Sequence, residues 1–362
     1  MSEPRTPIKV LIVEDSPTAR EYLVHIFSSD SEIRVIGTAN DGTEAVRLAE
    51  KLKPDVITMD IHMPVMDGLE ATRKIMETHP VPIVIVSGIW DPREVETTFL
   101  AIEAGALVVV QRPAGMGHPD SERLKKELIS KVKLMSEVKV VKRWPRSRLI
   151  KKEKQPESPT PSVKPRPDIR VVAIGASTGG PPALQTILSG LPADFPVPVL
   201  IVQHIATGFI QGMLDWLSET SGLRLHIAQE GEKILGGRAY FAPDNFYMGV
   251  DKIGGITLQK TGSAGAIRPS VSHLFRTIAE VYQERLVGIL LTGMGSDGAA
   301  ELKIMREKGA VTIIQDQESS IVFGMPGAAR ELGAARYELS PEKIATALIQ
   351  ITGHGQKKGI DN

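Results

Sequence analysis

Three polar residues in the C-terminal half have the types needed for nucleophilic acyl transfer. Ser177 follows the apolar run VVAIGA, His204 follows VLIVQ 27 residues later, and Asp297 lies in the turn after RLVGILLTG, 120 residues beyond Ser177. A serine hydroxyl attacks a carbonyl carbon when an imidazole takes its proton and a carboxylate orients that imidazole. The set indicates a serine hydrolase. Taken singly, His204 also fits a structural role and Asp297 a helix cap.

The turn around Ser177 differs from two common functional loops. It reads GASTGG before the helical pattern PPALQTIL, whose prolines suit a first helical turn. The GxGxxG pattern of dinucleotide-binding loops is not met, and a nucleotide-dependent oxidoreductase would need an acid where His204 stands. The GxSxG pattern of ordinary α/β-hydrolases is not met either.

Carboxylates follow two apolar runs of the N-terminal half. Glu14 and Asp15 come after IKVLIV, and Asp60 comes after DVITM. Clustered carboxylates repel one another unless a cation joins them, and Mg²⁺ prefers oxygen ligands of this kind. With Mg²⁺ bound by these three residues, Asp60 becomes a possible nucleophile toward a phosphoryl donor.

Two further residues lie at strand ends in the same half. Ser87 ends the run PIVIVS, and Arg112 precedes Pro113 after the run ALVVVQ. A hydroxyl at the first position would hydrogen-bond a phosphoryl oxygen, and a guanidinium at the second would place a fixed cation beside it. Single acids at strand ends are often solvated or cap helices, but so many polar groups at strand ends favour a phosphoryl site.

Alternating strand and helix patterns position all of these residues. Short β-branched runs alternate with amphipathic stretches such as GTEAVRLAEKL, and a second series runs from IRVVAIGAS through RLVGILLTG to VTIIQD. This alternation predicts an α/β fold class, with a doubly wound five-stranded parallel sheet followed by a second, larger doubly wound domain. In such sheets ligands bind at the carboxyl ends of the strands.

Length and composition favour two domains joined by a linker. At 362 residues the chain is long for one domain, and we expect domains at 1–135 and 169–351, with a polar tail at 352–362. Eleven Lys or Arg, three acids and several prolines lie between Lys139 and Arg170. This composition is typical of a solvated spacer, here the linker 136–168, with a docking surface for an acidic partner as the alternative.

The overall composition restricts partners and compartment. Lys+Arg and Asp+Glu both number 43, so no net basic field favours nucleic acid. The sequence contains no cysteine, which suits a reducing compartment. The N-terminus lacks a signal-peptide pattern, and no apolar run approaches the ~18 residues of a spanning helix. We therefore expect a cytoplasmic protein without nucleic-acid partners or membrane insertion.

The segments LIVEDSPTAR, DVITMDIHMPVMDGLEA and PIVIVSG resemble the response-regulator receiver family over residues 7–113. The resemblance implies a flavodoxin-like fold in which Asp60 is phosphorylated, Glu14 and Asp15 help to bind Mg²⁺, and Ser87 is the switch hydroxyl. Receivers usually carry Lys and an aromatic residue where this chain has Arg112 and Val109. The usual form of the switch is therefore in question.

The blocks GASTGG, QH, RPSVSHLF, LTGMGSDGA and QDQESSIVFGMP resemble the chemotaxis protein-glutamate methylesterase family, CheB, over roughly residues 171–330. By that resemblance Ser177, His204 and Asp297 form the catalytic triad. The implied substrates are methyl-accepting chemotaxis receptors, and the implied phosphodonor is a chemotaxis histidine kinase. Hydrolysis of glutamate methyl esters, with deamidation of glutamines as a second reaction, would reset receptor signalling in adaptation. No cofactor is expected for the esterase chemistry.

The resemblance also implies supporting residues. Thr178 is expected against the imidazole, and the backbone N–H of Met294 is expected to stabilise the oxyanion. Arg268, Pro269 and Ser270 are expected to border the substrate cleft.

Two other output functions fit a receiver. A DNA-binding response regulator would carry a compact helical domain with a basic recognition helix, whereas the second half is glycine-punctuated α/β. A non-catalytic scaffold in a chemosensory pathway is disfavoured by the Ser, His and Asp set.

Overall fold

A computed structural model describes residues 6–88, 92–113, 121–138, 140, 164–166, 168–260 and 269–354. These residues form two compact units, which lie on either side of residue 156 in the sequence. Within the described ranges, no helix combines the length and apolar character needed to cross a membrane.

The first unit is a five-stranded parallel sheet with five helices. Its elements are β1 (Ile8–Val13), α1 (Pro17–Ser28), β2 (Ile33–Ala39), α2 (Gly42–Leu52), β3 (Val56–Met59), α3 (Gly68–Thr78), β4 (Ile83–Ser87), α4 (Pro92–Ala104), β5 (Val108–Gln111) and α5 (Ser121–Ser136). The strand order is β2-β1-β3-β4-β5, and all pairs are parallel. This is the flavodoxin-like order expected from the sequence.

Local sequence explains why this unit folds as it does. Four residues of β1 and all of β3 and β4 are buried, as expected for central strands of a sheet covered on both faces. Helix caps are provided by Ser16, Asp41 and Asp67, whose side chains accept hydrogen bonds from the first turns of α1, α2 and α3. Helix capping therefore falls to residues other than the acids Glu14 and Asp60.

The second unit is larger and contains a seven-stranded sheet. Its elements are β6 (Val171–Ala176), α6 (Gly180–Ser189), β7 (Val199–Gln203), α7 (Ile210–Ser218), β8 (Arg224–Ile227), β9 (Arg238–Phe241), β10 (Phe246–Val250), β11 (Ile256–Lys260), α8 (Val271–Tyr282), β12 (Leu286–Leu290), α9 (Ala299–Glu307), β13 (Val311–Gln315), α10 (Met325–Glu331), β14 (Tyr337–Leu339) and α11 (Pro341–Thr352). The order is β14-β13-β12-β6-β7-β9-β8, with every pair parallel. The doubly wound α/β prediction is confirmed.

Four strands of this unit were not predicted from the apolar runs. β8, β11 and β14 mix polar and apolar residues, so their sequences lack a continuous apolar stretch, whereas the apolar run FYMGV of β10 was overlooked. β10 and β11 pair antiparallel as a separate hairpin, which packs on α8. Burial of Met248, Val250 and Ile256 joins this hairpin to the main core.

Each sheet contains a topological switch point, where the connections that leave two adjacent strands run in opposite directions. In the first unit this switch point lies between β1 and β3, and in the second between β6 and β12. The loops that follow such strands diverge and leave a crevice at the carboxyl edge of the sheet. Glu14, Asp15 and Asp60 follow β1 and β3, and Ser177 and Asp297 follow β6 and β12.

Candidate active site and acidic pocket

Ser177 is held at the carboxyl end of β6 by backbone hydrogen bonds. Its N–H donates to the carbonyl of Thr292 at 3.1 Å, and its own carbonyl accepts from Gly180 at 2.8 Å. The residue is only 5 % exposed. The nucleophile candidate is therefore placed by main-chain contacts to the segment that follows strand β12 and to the first turn of α6.

Gln203 joins the positions of Ser177 and His204. Its side-chain Nε2 donates to the carbonyl oxygens of both residues, each at 2.8 Å. His204 is also bound to β6, because its N–H donates to the carbonyl of Ala176 at 2.9 Å. This role of Gln203 was not predicted from the sequence. The available signal was a polar residue at the end of an otherwise apolar strand, directly before the candidate histidine.

The imidazole of His204 contacts the carboxylate of Asp297. His204 Nε2 lies 3.0 Å from Asp297 Oδ2, and the two side chains are 16 % and 7 % exposed. Because Nε2 serves the aspartate, Nδ1 is the ring nitrogen that remains for proton transfer. The structure thus brings two predicted triad members together across 93 residues of sequence.

The start of α8 surrounds Asp297 with donors. The backbone N–H of Val271 donates at 2.7 Å, that of Ser272 at 3.0 Å, and the Ser270 hydroxyl at 3.3 Å. Burial alone would raise the pKa of the Asp297 carboxyl, but hydrogen bonds from His204 and Ser272 outweigh it and lower the pKa to about 2. A helix N-terminus also favours negative charge. The carboxylate is therefore ionised at neutral pH.

The backbone at Gly293 passes directly beside the nucleophile. A Cβ at this position would lie 2.6 Å from Ser177 Cβ, so only glycine allows the approach. The Gly293 carbonyl accepts hydrogen bonds from the N–H groups of Gly324 and Met325 at 3.1 and 2.8 Å. In a trans peptide the next N–H, that of Met294, points the opposite way, away from the start of α10. The Met294 side chain is 44 % exposed.

The remaining predicted residues of this unit fall into three situations. Thr178 is buried, and its carbonyl accepts a 2.9 Å hydrogen bond from the Thr292 hydroxyl. Pro269 is buried and precedes Ser270, which caps α8 and contacts Asp297. Arg268 lies outside the described residues. Ser270, expected at the cleft, is thus engaged in supporting Asp297.

In the first unit, Glu14, Asp15 and Asp60 converge at the switch point. Each contributes a carboxylate oxygen to a group whose members all lie within 4.8 Å of one another. Glu14 is 1 % exposed and Asp60 is 9 % exposed. Burial raises the pKa of both carboxyls. The charge of Asp60 adds to the increase at Glu14, and Arg112 partly opposes it at both positions.

Arg112 neutralises part of this pocket through Glu14. Its Nη1 lies 2.7 Å from Glu14 Oε2, and the guanidinium is 23 % exposed. A Cβ on Gly88 would lie 2.0 Å from Arg112 Nη2, so glycine at 88 makes room for this side chain. Ser87 is buried, and its carbonyl accepts a hydrogen bond from the Arg112 N–H. From the sequence we expected the Arg112 guanidinium to lie beside a phosphoryl group. In the structure it pairs with Glu14, a predicted metal ligand.

The donor set of the pocket fits Mg²⁺. Three carboxylates supply hard oxygen ligands, and burial, with the charge of a neighbouring carboxylate, raises the pKa of Glu14 and of Asp60. A small divalent cation is the species that such a set accepts.

Two family models match the chain in regions that correspond to the two units. Residues 10–118 match the response regulator receiver domain, and residues 172–348 match the model described as CheB methylesterase.

Three relatives match nearly the whole chain. A Geobacter metallireducens protein named protein-glutamate methylesterase/protein-glutamine glutaminase 4 is 55% identical, covering 95% of this chain and 99% of its own length. A protein of the same name without the number, from Nitrosospira multiformis, is 55% identical, covering 95% of this chain and 97% of its own. A Syntrophus aciditrophicus protein of that name, numbered 1, is 50% identical, covering 96% and 99%.

The fold and these matches define a response regulator in which a receiver domain precedes an enzyme domain. The chain belongs to the CheB methylesterase family.

Proposed function

We propose that this chain hydrolyses glutamate methyl esters, and deamidates glutamines, on methyl-accepting chemotaxis receptors. The supporting observation is the His204–Asp297 hydrogen bond beside Ser177, in a chain whose relatives carry the names of these two reactions. In domain terms the proposal assigns 1–135 to the receiver, 136–168 to a linker, 169–351 to catalysis and 352–362 to a tail.

Ser177 acts as the nucleophile in this proposal. Its hydroxyl oxygen attacks the ester carbonyl carbon while His204 Nδ1 takes the proton, which gives a tetrahedral oxyanion. Collapse of this intermediate expels methanol, protonated by His204, and leaves an acyl-enzyme. Water then attacks with His204 again as base and releases the glutamate. For a glutamine side chain the leaving group is ammonia.

The peptide between Gly293 and Met294 supplies the oxyanion donor. Its carbonyl is bound by Gly324 and Met325, so its N–H is fixed before substrate arrives. Preorganised donors of this kind typically contribute about 10²–10³ in rate. Thr178 supports the imidazole from the same turn as Ser177, and the segment of Arg268, Pro269 and Ser270 borders the substrate.

Asp297 orients His204 and stabilises the imidazolium. Its pKa of about 2 keeps it ionised throughout the working pH range, so it holds the proton on Nε2 and leaves Nδ1 free to accept one. The aspartate does not itself take the proton.

The receiver regulates this activity by phosphorylation at Asp60. Glu14, Asp15 and Asp60 would hold Mg²⁺, which offsets charge on a transferring phosphoryl group when it is bound. Ser87 would hydrogen-bond the phosphoryl group as the switch hydroxyl, and Arg112 would pair with it. A chemotaxis histidine kinase serves as the phosphodonor, and control of Ser177 by Asp60 resets receptor signalling during adaptation.

Methanol release from methylated receptor membranes tests the proposal. Wild type and Ser177→Ala are compared with and without acetyl phosphate and Mg²⁺, and Asp60→Ala is compared under the same conditions. We expect Ser177→Ala to release no methanol and Asp60→Ala to retain basal release without stimulation. Equal release by wild type and Ser177→Ala would reject the hydrolase, while stimulation of Asp60→Ala would reject only the receiver control.

A further inference from the structure

Glu301 is a buried carboxylate close to the catalytic cluster but outside the triad. It lies in the first turn of α9 and is 8 % exposed. Its Oε1 accepts a 2.8 Å hydrogen bond from Arg276, whose side chain is 60 % exposed. Burying a charge is costly unless the charge is paired and hydrogen-bonded, so this placement needs a compensating partner.

The second partner of Glu301 is the hydroxyl of Ser272. Ser272 Oγ lies 2.7 Å from Glu301 Oε2. A hydroxyl has one proton, so a bond to an ionised carboxylate determines where that proton points and leaves the lone pairs for a donor. The donor is the N–H of Gly298, at 2.9 Å from Ser272 Oγ. Glu301 thus sets the orientation of the Ser272 hydroxyl.

These bonds close a ring around Asp297. The backbone N–H of Ser272 donates to Asp297 Oδ1 at 3.0 Å, and the Ser272 hydroxyl binds the peptide that directly follows Asp297. The carboxylate and its own backbone are therefore both tied to the start of α8. Glu301 fixes the hydroxyl that completes the ring.

We propose that Glu301, acting through Ser272, is a positioning residue for the carboxylate of Asp297. The inference rests on the proposed methylesterase function. Loss of Glu301 frees the Ser272 hydroxyl to rotate, which loosens the Asp297–Gly298 backbone and weakens the Asp297–His204 hydrogen bond. Glu301 does not touch the reacting atoms, so turnover changes while substrate binding does not.

Kinetics of methyl-ester hydrolysis by the full chain provide the test. For Glu301→Ala we expect kcat to fall about 5–20-fold with KM within twofold, since residues in one hydrogen-bond network are energetically coupled. Ser272→Ala should give a similar loss, and the double variant should be no worse than either single one. Glu301→Gln keeps the shape of the side chain and provides a second variant, should the alanine variant fold poorly.

A spectroscopic readout separates positioning from a general structural effect. In ¹⁵N-histidine-labelled protein, the Nε2–H resonance of His204, assigned by its loss in Asp297→Asn, should broaden or shift upfield in Glu301→Gln. The matched control is Glu342→Gln, because Glu342 accepts a similar 2.8 Å hydrogen bond from Ser340 at the start of α11. The control should leave both kcat and the resonance unchanged.

Full kcat with an unchanged resonance in both Glu301 variants would overturn the positioning role, as would losses that add in the double variant or a rise in KM alone. These results are distinguishable from failure of the proposed function itself. In that case Ser177→Ala would be as active as wild type.

Discussion

Asp297 and Asp60 both follow buried parallel strands near a switch point, yet their surroundings compensate negative charge to different degrees. Asp297 receives hydrogen bonds from an imidazole, a hydroxyl and two backbone N–H groups, and its pKa falls to about 2. Asp60 accepts from the N–H of Ile61 and lies beside two other carboxylates, and burial raises its pKa. Two acids that follow buried parallel strands thus have carboxyl pKa values shifted in opposite directions.

This difference corresponds to two kinds of site. The cluster around Asp297 is assembled by the protein's own donors, so its carboxylate is ionised and oriented before substrate binds. The acidic pocket keeps charge that Arg112 partly offsets, which favours binding of a cation and then of a phosphoryl group. In the function we propose, catalysis uses the first arrangement and regulation uses the second.

Neutralising Asp297 should give the largest effect. In Asp297→Asn the side-chain amide can place an N–H group against the imidazole and the N–H groups of α8, which are all donors. We therefore expect kcat for methyl-ester hydrolysis to fall about 10³–10⁴-fold. Steady-state methanol release measures the loss. Asp215→Asn, at an exposed position of α7, is the control and should retain full activity. A loss below tenfold in Asp297→Asn would contradict the preassembled site.

Acid should remove the stabilisation that Asp297 provides. Because its folded pKa is below the usual value of 3.8, its contribution is present above about pH 4 and is lost as pH falls through about 2. The contribution is about 2 kcal/mol. Urea unfolding measures this contribution. Trp90 and Trp144 are replaced by Phe in both wild type and Asp297→Asn, so that Trp216 alone reports unfolding of the second unit.

The advantage of wild type over Asp297→Asn in free energy of unfolding should shrink by about this amount between pH 5 and pH 2. A constant advantage across that range would show that the carboxylate is not stabilised by its hydrogen bonds. The raised pKa values of Glu14 and Asp60 change the stability of the receiver with pH in the opposite direction. Their contribution to the free energy of unfolding is present below the usual carboxyl pKa and is lost as pH rises through the raised pKa, because ionisation then opposes folding.

Removing Arg112 should have a smaller effect, on the affinity of the acidic pocket for Mg²⁺. In Arg112→Ala, Glu14 loses its cation, so we expect Mg²⁺ to bind the full chain about 3–10-fold more tightly by isothermal titration calorimetry. Lys133→Ala removes a cation that pairs with Asp30 and Glu32 in the same unit and should leave Mg²⁺ binding unchanged. Weaker binding in Arg112→Ala would mean that the guanidinium helps to form the metal site.

Many of the strands, and the residues that follow them at the sheet edges, could be predicted from the sequence. Buried strands appear as continuous apolar runs, and polar residues directly after them predict a shared sheet edge, as found for Glu14 and Asp60 and for His204 and Asp297. Strands β8, β11 and β14 were missed because their patterns mix polar and apolar residues, whereas β10 was missed although its run FYMGV is apolar.

The supporting contacts were less accessible, because they depend on side-chain reach between distant segments. Arg112 pairs with Glu14 across 98 residues, and Glu301 meets Ser272 across 29. Both pairs join residues that no spacing rule relates. The room that Gly88 leaves for Arg112 is likewise visible only once strands β4 and β5 are adjacent.

We infer that the Asp297 cluster is complete whether or not the acidic pocket holds a cation or a phosphoryl group. Basal methanol release from methylated receptor membranes in EDTA checks this inference, with wild type, Asp60→Ala and Ser177→Ala at equal concentration. We expect equal release by wild type and Asp60→Ala and none by Ser177→Ala. Loss of release in Asp60→Ala, or full release by Ser177→Ala, would contradict it.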